Sequence, residues 1–202
     1  MKKYLLEVVV FLCGAIVMIL EIVGARVLAP YLGTSIFVWT SLIGIILGSL
    51  SLGYWWGGKL ADRRPSYRAF ALIICLSGIF VTLITFSKEI VLLAIQGAIS
   101  DVRMGAAVAT LALFAVPSVL LGMVSPYAVK LRVDDLDKSG ATVGYLYAIS
   151  TIGSIIGTFL AGFVLIAYFG NTRILLVLAI ALVVTSLLAY SAAFSKTPAS
   201  VV

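Results

Sequence analysis

The sequence predicts an all-α integral membrane protein with six transmembrane helices. Of its 202 residues, 63% are hydrophobic and only 11% are charged, and the mean hydropathy is +1.23. A soluble domain of this size could not bury so much apolar surface. The apolar residues also fall into six runs that are long enough to cross a bilayer.

The six predicted spans make up one transmembrane domain, residues 1–194, which is followed by a short polar tail, residues 195–202. The spans are Tyr4–Leu28, Ser35–Gly57, Arg68–Ser87, Met104–Val129, Thr142–Tyr168 and Thr172–Ala193. A helix rises 1.5 Å per residue, so about 20 residues cross a hydrocarbon core of about 30 Å. The apolar run Glu89–Ser100 is too short to cross and predicts a separate interfacial or re-entrant helix.

The chain starts with MKKY and then an apolar run, as a signal peptide could, but this run is too long for a signal core and has no persuasive cleavage site. Glu21 lies deep in the first span, where a carboxylate usually marks a site. Arg26 is about 140° away around the helix, so any counter-charge for Glu21 must come from elsewhere. Glu21 and Arg26 are candidate substrate or ion-binding residues. Glu21 alternatively forms a structural ion pair or hydrogen bond, or lies exposed at the membrane interface.

The second span is punctuated by small residues and ends in the charged turn GGKLADRRP. Gly44, Gly48, Gly53 and Gly57 recur at helical spacing, which lets another helix approach closely. Pro65 prevents the helix from simply continuing past the turn. The segment therefore predicts a span, a packing face and a topology signal.

The remaining spans differ in kind. The third and sixth are plain apolar runs that suit lipid, whereas the fourth contains Pro117, Gly122 and Pro126. In the fifth, Gly153 and Gly157 form a GxxxG motif, which favours either packing within one subunit or a subunit interface. The second and fifth spans therefore carry most of the small-residue patterns.

The basic residues predict the orientation. With the N-terminus inside, ten Lys and Arg residues fall on the inner side and four on the outer side, which places both termini in the cytoplasm of a multi-pass protein of the inner or plasma membrane. The inner residues are Lys2, Lys3, Lys59, Arg63, Arg64, Arg68, Lys130, Arg132, Lys138 and Lys196, and the outer ones are Arg26, Lys88, Arg103 and Arg173. This pattern explains the net charge of +6 without a nucleic-acid partner.

Several clusters have simpler explanations than a site. The chain has no histidine, and Cys13 and Cys75 each lie inside an apolar run, so we expect no metal, disulfide or cofactor. A second cluster could bind a metal or polyamine, or form a solvated loop with Ser139 as the N-cap of the fifth helix; it consists of Asp134, Asp135 and Asp137. A set of interfacial aromatics indicates an aromatic belt rather than a cation cage: Tyr31, Trp39, Trp55, Trp56 and Tyr168.

The turn GGKLADRR resembles the loop between the second and third helices of major facilitator transporters, whose pattern is Gly-x-Leu-Ala-Asp-Arg-x-Gly-Arg-Arg. The matching residues are Gly58, Leu60, Ala61, Asp62 and Arg63. In those transporters the matching aspartate interacts with the start of a helix from the other half and steadies one conformation, so the resemblance implies this role for Asp62. A local cap or a salt bridge with Arg63 or Lys59 is the alternative.

A closer resemblance covers nearly the whole chain. EIVGARVLAPYLGTSIFVWTS, SPYAVKL and GYLYAISTIGSIIGTFLAGFVLI are similar to the membrane half of fused facilitator/spermidine-synthase proteins. In that family a six-helix membrane part precedes a cytoplasmic aminopropyltransferase-like domain, whose Gly-rich loop and acidic substrate residues have no counterpart here. The resemblance implies a membrane module with a synthase-like cytoplasmic partner, and it argues against catalysis by this chain alone.

The six spans amount to half of a major-facilitator-like fold. In the transporters that the turn resembles, the second and fifth helices of one half face the other half, so the resemblance implies a homodimer, or a related heterodimer, built on these two spans.

Three function classes remain. As an enzyme, the chain would need nucleophiles or acid–base pairs that the sequence does not show. As an anchor, the chain would hold a synthase-like enzyme at the inner face. As a half-size transporter, two copies would move a small solute such as a polyamine. A polycation calls for several carboxylates along its length, which favours the anchor.

Overall fold

The computed structural model describes residues 2–63, 65–133 and 139–194, which form helices joined by short turns. The predicted acidic cluster and the C-terminal tail lie outside these residues. Within the described residues, six helical stretches are long and apolar enough to cross a membrane, as predicted. The elements are α1 (Lys2–Leu32), α2 (Ile36–Arg63), α3 (Tyr67–Ala98), α4 (Val102–Arg132), α5 (Ser139–Phe159), a π-helical segment (Leu160–Leu165), α6 (Ile166–Tyr168) and α7 (Asn171–Phe194).

The separate helix predicted for Glu89–Ser100 was wrong, because α3 continues without a break to Ala98. No proline or glycine interrupts the sequence between Ser87 and Gly97. The buried Lys88 also ties this part of α3 to α7, because its amine donates to the Thr172 hydroxyl at 2.8 Å. At 1.5 Å per residue, the 32 residues of α3 extend about 48 Å, well beyond the hydrocarbon core.

Among the described residues, the change of helix type lies in the fifth span. The irregular residues of the fourth span lie within a continuous helix, because α4 runs through both Pro117 and Pro126. The fifth span instead changes from α5 to the π-helical segment before α6. Such π segments occur frequently at functional sites.

The most extensive helix contacts form three pairs, which we call crossed pairs because each joins the two halves of the chain. α1 packs along α5 in the same direction, and α2 packs along α4 in the same direction, whereas α3 packs antiparallel to α7. Each pair joins a helix from the first half of the chain to one from the second half. Because of this, neither half forms a core by itself. The set of pairs is also unchanged when the first three spans are exchanged, in order, for the last three.

The end of the bundle that holds the first residues of α1 is closed by side chains of α4. Arg132 forms an ion pair with Glu7 of α1, and both side chains are largely buried. Tyr127 is fully buried, stacks on Phe70 of α3 and accepts a hydrogen bond from the backbone N–H of Ser66. These contacts hold the starts of α1 and α3 against the end of α4.

Candidate functional site

The predicted packing glycines divide into two groups. An added Cβ at Gly57 would lie 2.6 Å from the Cα of Met123 in α4, and Gly53 faces the same helix at Val119. In α5, Gly153 and Gly157 meet the backbone of α1 in the same way. These four glycines therefore serve packing within one chain, which decides between the two interpretations of the GxxxG motif.

Gly44 and Gly48 were predicted to pack against a helix, but neither does so within the described chain. An added Cβ at either position would meet nothing within 4 Å. Gly48 and Gly44 belong to a row of small exposed residues, which we call the α2 open stripe and which consists of Thr40, Gly44, Gly48 and Ser51.

A second row of small exposed residues lies on α5. Gly144 likewise has nothing within 4 Å of an added Cβ. The hydroxyl of Thr151 donates to the Tyr147 carbonyl of its own helix, so it presents little unsatisfied polarity. We call this row the α5 open stripe; it consists of Gly144, Ala148 and Thr151.

Glu21 differs from the other acids in the described part of the chain. Glu7 pairs with Arg132, Asp62 with Lys130, and Glu89 lies 3.9 Å from the Lys88 amine. Asp101 caps α4 by accepting from the Arg103 N–H. Glu21 is half-buried and has no hydrogen-bond or ion-pair partner among the described residues.

A small polar cavity that the sequence analysis missed lies one turn from Glu21. It has a volume of about 50 Å³ and lies where α1, α2, α4 and α5 meet, beside Val17. Its polar groups are Tyr54, Ser125, Ser150 and Ser154. α2 and α4 each contribute one polar residue to the cavity, Tyr54 and Ser125. A single residue forms no periodic pattern in the sequence, so the cavity becomes visible only when the helices are packed.

Arg26 lies on a different side of α1, where the helix ladder is interrupted. Pro30 has no N–H to donate to the carbonyl of Arg26, four residues earlier. The side-chain amide of Asn171, the first residue of α7, donates to that carbonyl at 3.1 Å instead. The guanidinium of Arg26 has no hydrogen-bond or ion-pair partner within the described part of the chain.

Beside Arg26 an open cleft of about 590 Å³ separates the end of α1, the start of α2 and the end of the fifth span. Gly33, with a φ of +78°, turns the chain from α1 toward α2 at the rim of this cleft. The candidate residues Glu21 and Arg26 are therefore not one site, because Arg26 lines the cleft and Glu21 does not.

Asp62 has neither of the local partners considered from the sequence. Its carboxylate accepts from the Lys130 amine of α4 at 2.8 Å, with both side chains well exposed. Lys59 lies over the ring of Trp55 at 3.6 Å from its centroid, so one predicted belt residue does contact a cation. The charged turn therefore joins α2 to α4 within one chain.

Comparisons with family models, curated proteins and solved structures found no match to this chain.

Proposed function

We propose that the chain is a dimeric membrane subunit that anchors an aminopropyltransferase-like enzyme at the cytoplasmic face. The observation that carries the proposal is the pair of open stripes. The other glycines of α2 and α5 that were predicted to pack already contact another helix of the same chain. The small residues of the open stripes are therefore available to a second copy.

Small residues let helices approach closely in a bilayer, where burial of apolar surface does not drive association. A glycine costs helix stability relative to alanine, by about 1 kcal/mol in water. Lipid alone gives no reason for small residues at Gly44, Gly48 and Gly144. A second helix that approaches at these positions would give one.

The crossed helix pairs support the facilitator-like part of the proposal. Half of a major facilitator consists of two inverted three-helix repeats. A set of helix pairs that survives exchange of the halves is compatible with such repeats. The Gly58–Arg63 turn supplies the matching sequence motif.

The sequence resemblance supplies the cytoplasmic partner. The end of the bundle that holds the start of α1 exposes the basic residues Lys59, Arg63, Arg68 and Lys130. The excess of basic residues favours a cytoplasmic location for this end. An enzyme with an acidic docking face would meet a complementary surface there.

The test is the mass of the intact complex after purification from native membranes in a mild detergent. We expect two copies of the chain together with an aminopropyltransferase-like chain identified by peptide sequencing. Gly48→Leu should give monomers, because the larger side chain blocks approach along the α2 open stripe. Gly97→Leu is the matched control, since Gly97 is equally uncovered but lies at the end of α3. A wild-type monomer without a second protein would contradict the proposal.

A half-size transporter of a small cation is the second proposal, and Glu21 favours it. A carboxylate inside a span with no partner in the described chain leaves its charge available to a ligand. The nearby cavity at Tyr54 and Ser125 would extend the polar path by about one turn. Uptake of a labelled polyamine into proteoliposomes by wild type alone, without an enzyme subunit, would favour this function over the anchor.

A further inference from the structure

We propose that the cleft beside Arg26 binds an anionic phospholipid, with the lipid phosphate at the guanidinium and an acyl chain along the apolar wall. This inference does not depend on the dimer or on the enzyme partner, because one chain forms the whole cleft.

The size and lining of the cleft are those of a ligand site. Its volume of about 590 Å³ falls within the range of 300–1,000 Å³ typical of small-molecule pockets. Ile22, Val38 and Ile166 contribute apolar wall. Arg26 and Thr34 contribute side chains that can donate hydrogen bonds, as a site that orients one polar group requires.

The backbone around Arg26 is fixed before any ligand arrives. Asn171 satisfies the carbonyl that Pro30 leaves without a donor, which joins α7 to α1 at this residue. From the fifth span, Ile166 lines the cleft, and it directly follows the π-helical segment. A backbone held in this way limits the conformational entropy lost on binding.

The charge of the cleft selects an anion. None of the described residues that line it is acidic, and the guanidinium has no partner in the described chain. A guanidinium presents paired N–H donors that match two phosphate oxygens. The cleft offers no carboxylate to a choline group, so a lipid with net negative charge is favoured over a zwitterionic one.

The depth of Arg26 matches the level of the lipid phosphate. α1 has 31 residues and is about 46 Å long, so each end extends roughly 8 Å beyond a core of about 30 Å. Arg26 lies six residues, or about 9 Å, before the end of α1 at Leu32. It therefore lies near the boundary between hydrocarbon and headgroups, with Trp39 at the cleft as an interfacial aromatic.

Lipid retention by the purified, delipidated protein tests the proposal. The protein is mixed with phosphatidylglycerol, phosphatidylcholine or oleate in neutral detergent, and bound lipid is counted by native mass spectrometry. We expect wild type to retain phosphatidylglycerol in preference to the other two. Arg26→Gln should weaken that retention about tenfold, since a charge-assisted contact is lost.

Two further variants test general surface charge and the space inside the cleft. Arg173→Gln removes an exposed cation from the same end of the bundle and should retain lipid like wild type. Ala29→Phe fills the cleft while keeping Arg26, and should lower retention as well. Equal retention of phosphatidylglycerol by wild type and Ala29→Phe, or no wild-type preference over phosphatidylcholine, would overturn the proposal. A wild-type preference for oleate would exclude a phospholipid as the occupant.

Discussion

α2 and α5 carry glycines on two faces. The inner face of each helix packs inside the bundle, and the outer face points away from it. On the inner faces, Gly53 and Gly153 lie against the backbone of a neighbouring helix. On the outer faces, Gly48 and Gly144 meet nothing within 4 Å. The comparison teaches that a run of small residues predicts close approach without identifying the partner, because two faces of one helix can carry it.

The largest effect is expected on the inner face. Gly153→Leu would drive a side chain into the carbonyl of Phe11, so α1 and α5 would have to separate. We expect a loss of about 3 kcal/mol or more in the free energy of unfolding, at the upper end of overpacking effects. Thermal unfolding in detergent measures it, with Gly144→Leu on the same helix as the control. Similar unfolding temperatures for the two variants would mean that the inner and outer faces do not differ.

Substitutions of Glu21 test whether the chain is an anchor with a protein interface or a transporter of cations. No described residue would be stranded by its loss, so Glu21→Gln and Glu21→Leu should both unfold within about 1 kcal/mol of wild type. We expect Glu21→Gln to keep the oligomer and the enzyme association of wild type. The measurements are thermal unfolding, intact mass and polyamine uptake into proteoliposomes. Uptake by wild type that Glu21→Gln abolishes would favour a cation pathway instead.

The smallest effect is expected at the turn that ends α2. Its Asp62 should also approach the N-terminus of the partner copy's α5, where a carboxylate is favoured by about 0.3–1 kcal/mol. Asp62→Asn should therefore weaken dimerisation modestly in low salt, as measured by dilution and intact mass. Lys130→Gln is the matched control, because it breaks the same intrachain pair but keeps the carboxylate. Equal weakening by both variants would attribute the effect to the intrachain pair alone.

The sequence predicted the elements better than it predicted their relations. All six spans were located, since about 20 apolar residues bounded by charges have few other uses. The length of α3 was missed because an apolar run that continues a span looks the same as a short separate helix. The neighbours of Gly157 and Gly48 could not be predicted, because both belong to equally spaced small-residue patterns.

The candidate sites show the same limit. Glu21 and Arg26 stood out as charged residues in an apolar span. In the structure, neither side chain has a hydrogen-bond or ion-pair partner among the described residues. The cleft beside Arg26 was not predictable, because it depends on a contact between Asn171 and a carbonyl 145 residues earlier in the chain. The π-helical segment has no sequence signal that we recognised.

The crossed pairing also has a consequence for synthesis of the chain. α1 ends at Leu32, while α5, on which it packs, begins at Ser139, more than one hundred residues later. At usual rates of translation that interval is roughly 5 to 20 seconds. The carbonyl of Arg26 gains its donor from Asn171 later still. Among the three pairs, α1 is therefore the helix that is made longest before its main packing partner.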